Sequence, residues 1–289
     1  MTIRALRIGI IGAGKMGTAL ALGLDQAGYA VTAVASRSLD SARLLAGKLS
    51  SVAASGNPQS VADSANLIFI TTPDGIIAEV AASLKVCPGQ MVCHVSAATP
   101  VDVLNHLSDQ GAFTGVFHPL QSAGSLEKAS ILPGITFAIE ASIPLLEILK
   151  TMASRLGGRV IELSASDRVL YHISAILASN YLVTLIDRAA GLWQGFSTKE
   201  QAVTALLPLI RGTVDNIEAI GAPACLTGPI SRGDTSTVQR HLTTLTDKAP
   251  DGLNIYRAMG LETIPLAVAK GGIGNDKAAM LKELLETRS

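Results

Sequence analysis

The chain has 289 residues, of which 48% are apolar and 16% charged, and its formal net charge at pH 7 is zero. This length leaves room for two domains with a large core, and the scattered charges favour neither a nucleic-acid nor a membrane-surface partner. The three cysteines, Cys87, Cys93 and Cys225, form no metal-ligand spacing, so we expect no metal site and reduced thiols.

A glycine-rich turn follows the first apolar run. Ile8–Ile11 is typical of a strand, and an alanine- and leucine-rich helix extends from the turn to about Gly28. In such a turn, the first glycine allows a tight bend, the second lets backbone approach a pyrophosphate, and the third permits close helix packing. The alternative is a glycine turn without a ligand. We predict a dinucleotide site whose contacts include Gly12, Gly14, Lys15, Met16 and Gly17.

The end of the next strand, Val31–Ala35, indicates which dinucleotide is bound. An NAD site places an acidic residue there, whereas this chain has Ser36, Arg37 and Ser38. A guanidinium and two hydroxyls suit a 2′-phosphate, so the expected cofactor is NADP. The alternative for Arg37 is a solvated surface arginine. Asp40 is expected to cap the helix that begins around Leu39.

Strand-like and helical patterns alternate through the first part of the chain. This alternation predicts an α/β fold with a doubly wound, mostly parallel sheet over residues 1–164. The predicted strands are Ile8–Ile11, Val31–Ala35, Leu67–Thr71, Met91–Val95, Phe113–Phe117, Thr136–Ile139 and Val160–Leu163.

Helical patterns alone follow from about Ser164, so residues 165–289 are predicted to form an all-α second domain. The expected helices cover roughly 166–194, 198–219, 234–247, 250–268 and 275–287. The most apolar stretch, Tyr171 to Trp193, contains charged side chains and is not predicted to span a membrane. Lys15 interrupts the apolar N-terminal stretch, so we expect no export signal and a cytoplasmic protein.

Polar residues follow several predicted strands, at the edge of the sheet where ligands bind in open α/β folds. Thr72 and Pro73 follow one strand and Ser96 follows the next, and we expect all three to contact the dinucleotide. Asp74 is expected to cap the helix after Pro73.

Two histidines, His94 and His118, fall on the same predicted edge. A structural role explains each of them as well as a functional one does, but their coincidence at the strand ends makes them site candidates. His94 is expected to contact the substrate.

The first helix of the second domain carries a polar strip. At 100° per residue, His172 and Ser179 project within about 20° of each other, and Asn180 lies about 80° from His172. Because buried polar side chains need partners, this strip either pairs with another helix or faces a wet cleft, where Ser179 would contact substrate.

A second polar concentration covers Leu226 to Thr237. The structural interpretation is a loop followed by a helix that Asp234 or Thr235 caps. That role is compatible with a functional one, in which Arg232 binds a substrate carboxylate.

Seven motifs occur in order along nearly the whole chain: RIGIIGAGKMGTALA, ITTPDGII, HVSAA, HPLQS, YHISAILASNYLVTL, PLIRGTVDNI and LTGPISRGDTSTVQRHL. With them the sequence resembles Rossmann-like proteins with a C-terminal domain of unknown function, often described as NADP oxidoreductases. Some of these relatives are similar in role to ketopantoate reductase, and the N-terminal half also resembles pyrroline-5-carboxylate reductase. The resemblance implies a Rossmann sheet, a helical domain that joins two copies into a homodimer, and reduction of a small carbonyl or imine compound.

One residue departs from the related enzymes. The β-hydroxyacid dehydrogenases place a catalytic lysine four residues before the asparagine of the interdomain helix, where this chain has Ile176. No lysine lies between Lys150 and Lys199. Another group must therefore protonate the alkoxide that forms when hydride reaches a ketone.

Histidines are the candidates for that proton donor, because an ordinary pKa near 6.5 suits proton transfer at neutral pH. His172 is the first candidate, His118 the second and His94 the third. Asn180 would hydrogen-bond the carbonyl oxygen and stabilise its developing charge.

Three functional hypotheses follow. The first is an NADPH-dependent reductase of a small 2-oxo acid, with ketopantoate as the leading substrate. The second is an imine reductase of the pyrroline-5-carboxylate type. The third is a non-catalytic NADP-binding sensor, which accommodates the missing lysine best.

Overall fold

The protein divides into two compact units, Met1–Ser179 and Asn180–Ser289, in a computed structural model that describes residues 6–122 and 132–287. The first unit contains the sheet and extends past residue 164 through one helix that the sequence pattern placed in the second domain. The described part of the second unit is helical, as predicted.

The described residues of the first unit form one eight-stranded sheet at its centre, with the strands in the order β3-β2-β1-β4-β5-β6-β7-β8. Neighbouring strands are parallel except β6 and β7, which are antiparallel, so the predicted mostly parallel sheet is confirmed. The strands are β1 (Arg7–Ile11), β2 (Ala30–Ala35), β3 (Ala53–Ser55), β4 (Leu67–Ile70), β5 (Met91–His94), β6 (Phe113–Leu120), β7 (Thr136–Ala141) and β8 (Arg159–Glu162).

Two differences from the predicted strands bear on the site. Ala53–Ser55 forms an edge strand that the sequence pattern missed, because three small residues give no alternation to detect. Strand β6 continues to Leu120, so His118 lies within the strand and not beyond its end. Its pairing with β7 explains the extension, since His118 faces Ala138 in the antiparallel register.

Helices cover both faces of the sheet. Alternate residues of β4 belong to two separate clusters, with Leu67 and Phe69 in one and Ile68 and Ile70 in the other, as the period of two requires. The helices of the first unit are α1 (Lys15–Gln26), α2 (Leu39–Ala46), α3 (Pro58–Ser64), α4 (Asp74–Ser83), α5 (Asn105–Ser108), α6 (Leu145–Arg155) and α7 (Arg168–Ala178).

The long helix predicted over 166–194 is two helices. α7 ends at Ala178, and the next helix begins at Asn180, with Ser179 between them. The helices of the second unit are α8 (Asn180–Gly191), α9 (Lys199–Ile220), α10 (Ala222–Cys225), α11 (Thr235–Lys248), α12 (Leu253–Ala269) and α13 (Asn275–Glu286).

The core of the second unit consists of residues from α11, α12 and α13 together with Ile230 and Ile273. α8 and α9 contribute little to it, because each buries a single residue, Ala190 and Ala202. The stretch from Arg168 to Gly191 has the length and apolarity of a membrane span. Its most apolar 18-residue window has a mean hydropathy of 1.6, and none of that window is buried. The described residues therefore leave a large apolar helical surface exposed.

Candidate active site

The glycine turn between β1 and α1 is shaped by close packing at two positions and by open space at the third. Gly12 has a φ of +116°, and a Cβ there would lie 2.8 Å from the backbone of Thr71. A Cβ on Gly17 would overlap the carbonyl oxygen of Gly12, whereas a Cβ on Gly14 would meet nothing within 4 Å. The turn is thus packed on the protein side and open at Gly14, where a ligand could approach.

The N-terminus of α1 suits a phosphate group. Gly14 occupies the N-cap position and supplies no side-chain hydrogen bond to the first-turn amides. Lys15 is exposed in that turn, and Met16 packs partly against the core. Uncapped amides and the helix dipole together favour an anion, so these residues fit the pyrophosphate of a dinucleotide.

The helix after β2 is capped by a different residue from the one expected. Ser38 caps α2, because its Oγ accepts a hydrogen bond from the amide of Ser41 at 3.3 Å. The prediction that Asp40 caps this helix is wrong; Asp40 lies in the first turn and pairs with Arg43 at 3.7 Å on the surface. Ser36 is half-buried and Arg37 is exposed.

Strand β4 is tied to the glycine turn at its carboxyl end. The Thr71 hydroxyl donates to the carbonyl oxygen of Gly12 at 2.6 Å. Thr72 Oγ1 is buried and has no hydrogen-bond partner among the described residues. Pro73 precedes α4, and Asp74 supplies no side-chain cap to it, so the predicted capping role of Asp74 is wrong.

His94, the last residue of β5, is fully buried. Its Nδ1 accepts a hydrogen bond from the amide of Ser96 at 3.2 Å, and Ser96 Oγ accepts from the amides of Ala98 and Thr99. Burial, and then the positive charge of Arg168, lower the pKa of His94 to about 4. The imidazole is therefore neutral at pH 7 and holds the loop after β5.

His118 on β6 meets a tyrosine that the sequence analysis did not single out. Its Nδ1 lies 2.7 Å from the hydroxyl oxygen of Tyr171 on α7, and the two rings are perpendicular with centroids 5.6 Å apart. Burial lowers the pKa of His118 to about 4, with further lowering from His172 and Arg168. Burial also raises the pKa of Tyr171 to about 12, which Arg168 opposes.

A buried ion pair fixes α7 against the sheet. Arg168 Nη2 pairs with the Glu140 carboxylate on β7; the side chain of Arg168 is almost fully buried and that of Glu140 is mostly buried. Arg168 Nη1 also donates to the carbonyl oxygen of Ala97, in the loop after β5, at 3.5 Å. Arg168 lies one helical turn before Tyr171 and His172, so the Arg168–Glu140 ion pair determines the positions of those two side chains.

The described site therefore gathers His94, His118, Glu140, Arg168, Tyr171 and His172 in the first unit. His172 is half-buried, and its Nδ1 is buried with no hydrogen-bond partner among the described residues. Sequence reasoning missed Glu140, Arg168 and Tyr171. A glutamate inside the apolar strand TFAIEA was the one available signal for a buried partner.

Two predicted site residues, Asn180 and Arg232, belong to the second unit. Asn180 is exposed at the start of α8, and the break at Ser179 overturns the expectation that it shares one continuous helix with His172. Arg232 is exposed in a short 3-10 turn. Asp234 caps α11 by accepting from the amide of Thr237 at 3.0 Å, which confirms the predicted capping.

Several structures of known proteins are similar to the whole chain. A protein from Bacteroides fragilis, provisionally named an NADP oxidoreductase, is 25% identical with a TM-score of 0.72, covering 91% of this chain and 100% of that one. A 1-pyrroline-5-carboxylate reductase from Streptococcus pyogenes is 18% identical, with a TM-score of 0.60 and coverage of 96% and 98%. A reductive aminase from Aspergillus terreus, solved with NADPH and ethyl levulinate, is 14% identical, with a TM-score of 0.65 and coverage of 96% and 99%.

Family models account for most of the chain. Residues 1–119 match the Rossmann-like domain, and residues 135–263 match a domain of unknown function, DUF2520. A search of the curated proteins gave no match. The two models follow each other in the order that the sequence resemblance implies, and together they span both the sheet and most of the helical region. The chain therefore carries a match to a Rossmann-like domain followed by a match to a DUF2520 domain.

Proposed function

We propose that the protein is an NADPH-dependent reductase of a small carbonyl or imine compound. The observation that carries the proposal is that two features lie at the carboxyl ends of parallel strands of the sheet. The carboxyl end of β1 opens into the uncapped glycine turn, and the carboxyl half of the parallel strand β6 holds His118 against Tyr171. A dinucleotide cradle and a proton-carrying pair on one edge are what a reductase requires.

NADP is the dinucleotide that these residues favour. Arg37 follows β2 without a hydrogen bond or ion pair to any described residue, so its guanidinium is open to a 2′-phosphate. The names of the similar proteins, an NADP oxidoreductase and an aminase solved with NADPH, support the same choice. When bound, NADPH supplies the hydride that reduces the substrate carbon.

Tyr171 is the side chain that we assign as proton donor, in place of the histidines expected from sequence. His94 and His118 each have a pKa of about 4 and carry no extra proton at pH 7. Tyr171 keeps its proton, and the alkoxide formed from a ketone is a stronger base than a phenolate. Transfer from Tyr171 to that oxygen is therefore downhill.

The neighbouring groups favour this transfer. The positive charge of Arg168 stabilises the phenolate that remains on Tyr171. His118 Nδ1 lies within hydrogen-bond distance of the same oxygen and can donate to it in one neutral tautomer. His172, the first candidate from sequence, stands next to Tyr171 on α7 and is the alternative donor.

The proposed substrates combine a reducible carbonyl or imine group with a carboxylate. A 2-oxo acid such as ketopantoate combines a reducible carbonyl with a carboxylate for which Arg232 is the proposed ligand. 1-Pyrroline-5-carboxylate combines a cyclic imine with a carboxylate, and the name of the similar reductase from Streptococcus pyogenes favours it. NADPH oxidation against a panel containing both compounds tests the proposal and separates these substrates.

A non-catalytic NADPH sensor is the competing function. The buried Arg168–Glu140 pair and the His118–Tyr171 contact weigh against it, because a binding protein has no need to order proton-carrying groups at this edge. Tight NADPH binding without oxidation of any compound in the panel would favour the sensor.

We also propose that the helical unit joins two copies of the chain. α8 and α9 expose apolar side chains along most of their length, such as Val183, Leu209 and Val214. α9 carries two basic and three acidic residues, a balance that suits a second copy better than an anionic lipid surface. Exposed apolar patches of this extent mark interaction surfaces.

A further inference from the structure

A cavity lies within the second unit, between α8 and α12. Its volume is about 300 Å³, at the lower end of the range for small-molecule sites in proteins. Every residue that lines it falls between 185 and 263, so the cavity belongs to this unit alone. None of the described residues assigned above to the cofactor, the substrate or proton transfer lines it.

The walls of the cavity are mainly apolar. Leu185 and Ala189 on α8, and Leu192 just beyond its end, are spaced at four and three residues, which places them on one face of the helix. Ile255 and Met259 line the cavity from α12. Walls of this kind favour the burial of a hydrocarbon chain or ring.

The packing of the unit closes the cavity on two sides. Ile230, which lines it, belongs to the core formed with α11, α12 and α13 and is 8% exposed. At Gly252, an added Cβ would lie 3.5 Å from Leu192 and 3.4 Å from Leu245, so side chains from both sides converge here. The cavity is therefore a concave site with a floor and not a flat apolar patch.

Arg188 is the one charged residue in the described lining of the cavity. It is exposed, and it forms no hydrogen bond or ion pair with residues 6–122 or 132–287. The carboxylate beside it in sequence, Asp187, pairs instead with Lys199 at 2.6 Å. Because a guanidinium offers paired donors that match a carboxylate, Arg188 gives this apolar cavity a binding group for an anion.

The other polar side chains of the lining already have partners. Thr263 Oγ1 donates to the carbonyl oxygen of Met259 at 2.6 Å. The hydroxyl oxygen of Tyr256 lies 2.8 Å from Nδ1 of His241. Arg188 is therefore the group in the described lining that is free to select the charge of a ligand.

The face of α8 that lines the cavity differs from the face that we assign to the dimer. At 100° per residue, Val183 projects about 160° from Leu185 and about 140° from Arg188. A second copy that packs on Val183 leaves the cavity to another occupant.

We propose that this cavity binds a monocarboxylate with an apolar chain, of the size of a medium-chain fatty acid. Arg188 binds the carboxylate, and the walls from α8 and α12 enclose the chain. This site goes beyond the proposed reductase, because its ligand is recognised by an apolar chain that a small oxo or imino acid lacks.

Calorimetric titration of octanoate into the full chain, without cofactor, tests the proposal. We expect saturable binding of one octanoate per chain. Each methylene removed should weaken binding about fourfold, so hexanoate should bind about 15-fold more weakly. Octanamide, which keeps the chain but not the charge, should bind about tenfold more weakly, as for loss of one charge-assisted hydrogen bond.

Two variants with matched controls locate the bound octanoate. Arg188→Met should weaken binding about tenfold. Its control is Arg240→Met, at an exposed arginine of α11 that donates to Thr237 in the same helix. Ala189→Phe places a ring in the cavity and should weaken binding about tenfold or more. Its control is Ala258→Phe, at an exposed alanine of α12 that does not line the cavity.

Weaker binding in both Arg188→Met and Ala189→Phe, with both controls unchanged, would support the proposal. Octanoate that does not saturate, or that binds Ala189→Phe as tightly as the wild type, would overturn the cavity as the ligand site. Equal affinity for octanoate and octanamide, with unchanged binding in Arg188→Met, would overturn the recognition of a carboxylate. Because these titrations need neither cofactor nor turnover, their result is independent of the proposed reductase.

Discussion

The hydroxyl oxygen of Tyr171 on α7 lies 2.7 Å from Nδ1 of His118 on β6, although 53 residues separate them in sequence. Both groups are neutral at pH 7, since burial lowers the pKa of His118 to about 4 and raises that of Tyr171 to about 12. Tyr171 therefore keeps its proton until a stronger base, such as an alkoxide, forms beside it.

Removal of the Tyr171 hydroxyl tests its assigned role. Tyr171→Phe should lower kcat about 100-fold for a carbonyl substrate, the lower end for loss of a general acid, while the Kd for NADPH stays unchanged. Stopped-flow and fluorescence titration measure the two quantities. Tyr256→Phe is the matched control, because Tyr256 makes a similar contact with His241 at 2.8 Å in the second unit. Full turnover in Tyr171→Phe, with loss in His172→Ala, would transfer the role to His172.

Arg37 should determine the choice between the two dinucleotides. Arg37→Ala removes the proposed partner of the 2′-phosphate, so kcat/KM with NADPH should fall about tenfold or more, while kcat/KM with NADH is unaffected. Steady-state rates with both cofactors measure the ratio. Arg43→Ala, at an exposed arginine that pairs with Asp40, should leave it unchanged. A full NADPH preference in Arg37→Ala would place the 2′-phosphate elsewhere.

Glu140 should matter for stability because it neutralises a buried cation. Glu140→Gln leaves Arg168 buried without its partner, so the free energy of unfolding should fall by about 3–5 kcal/mol. Replacing both residues, as Glu140→Gln with Arg168→Met, should recover part of that loss in urea unfolding. Glu147→Gln, which breaks a surface pair with Lys150, should cost less than about 1 kcal/mol. Equal losses at Glu140 and Glu147 would contradict the account.

The buried His94 should make the protein less stable in mild acid. Its folded pKa of about 4 lies below the ordinary 6.5, so the unfolded chain binds the proton first, and the free energy of unfolding falls as pH drops from 6.5 to 4. His94 contributes at most about 3 kcal/mol to this fall. His94→Asn should reduce the pH dependence, although His118, whose folded pKa is also about 4, should maintain the rest. His106→Asn, at an exposed histidine on α5, should leave the pH dependence unchanged. An unchanged slope in His94→Asn would mean that other groups cause the acid sensitivity.

The apolar surface of α9 should hold two copies together. A charge at its exposed positions, as in Leu209→Asp combined with Val214→Asp, should convert a dimer into a monomer, because the desolvation cost of a carboxylate opposes association. Sedimentation equilibrium measures the mass. Leu44→Asp, at an equally exposed leucine of α2, should remain dimeric. A wild-type monomer that binds anionic vesicles would instead assign this surface to a membrane.

Local signals predicted the fold well. The glycine turn and the alternation of strand and helix predicted the sheet, because each depends on neighbours in sequence. The break at Ser179 was missed, since the apolar pattern continues through it without a proline or glycine. Asp234 was correctly expected at a helix start. The cap of α2, however, is Ser38 and not Asp40 two positions later, because the local backbone decides where the helix begins.

The chemistry of the site was harder to predict than its location. His118 and His172 were found from their residue type, but the charged groups that lower the pKa of His118 lie on α7, far from it in sequence. Glu140 and Arg168 are 28 residues apart and lie on β7 and α7, so only the fold shows that they pair. The contact between Tyr171 and His118 likewise joins residues that are far apart in sequence. The sequence analysis could not detect it and therefore chose a histidine as the proton donor.

The central claim is that the protein uses NADPH to reduce a small carbonyl or imine compound. The measurement that tests it most directly is loss of reduced-nicotinamide absorbance by the purified chain, with ketopantoate, 1-pyrroline-5-carboxylate and other 2-oxo acids offered separately. The account predicts NADPH oxidation with at least one of them, and a much lower rate in Tyr171→Phe. NADPH binding with no oxidation by any compound in the panel would contradict the account and favour the sensor.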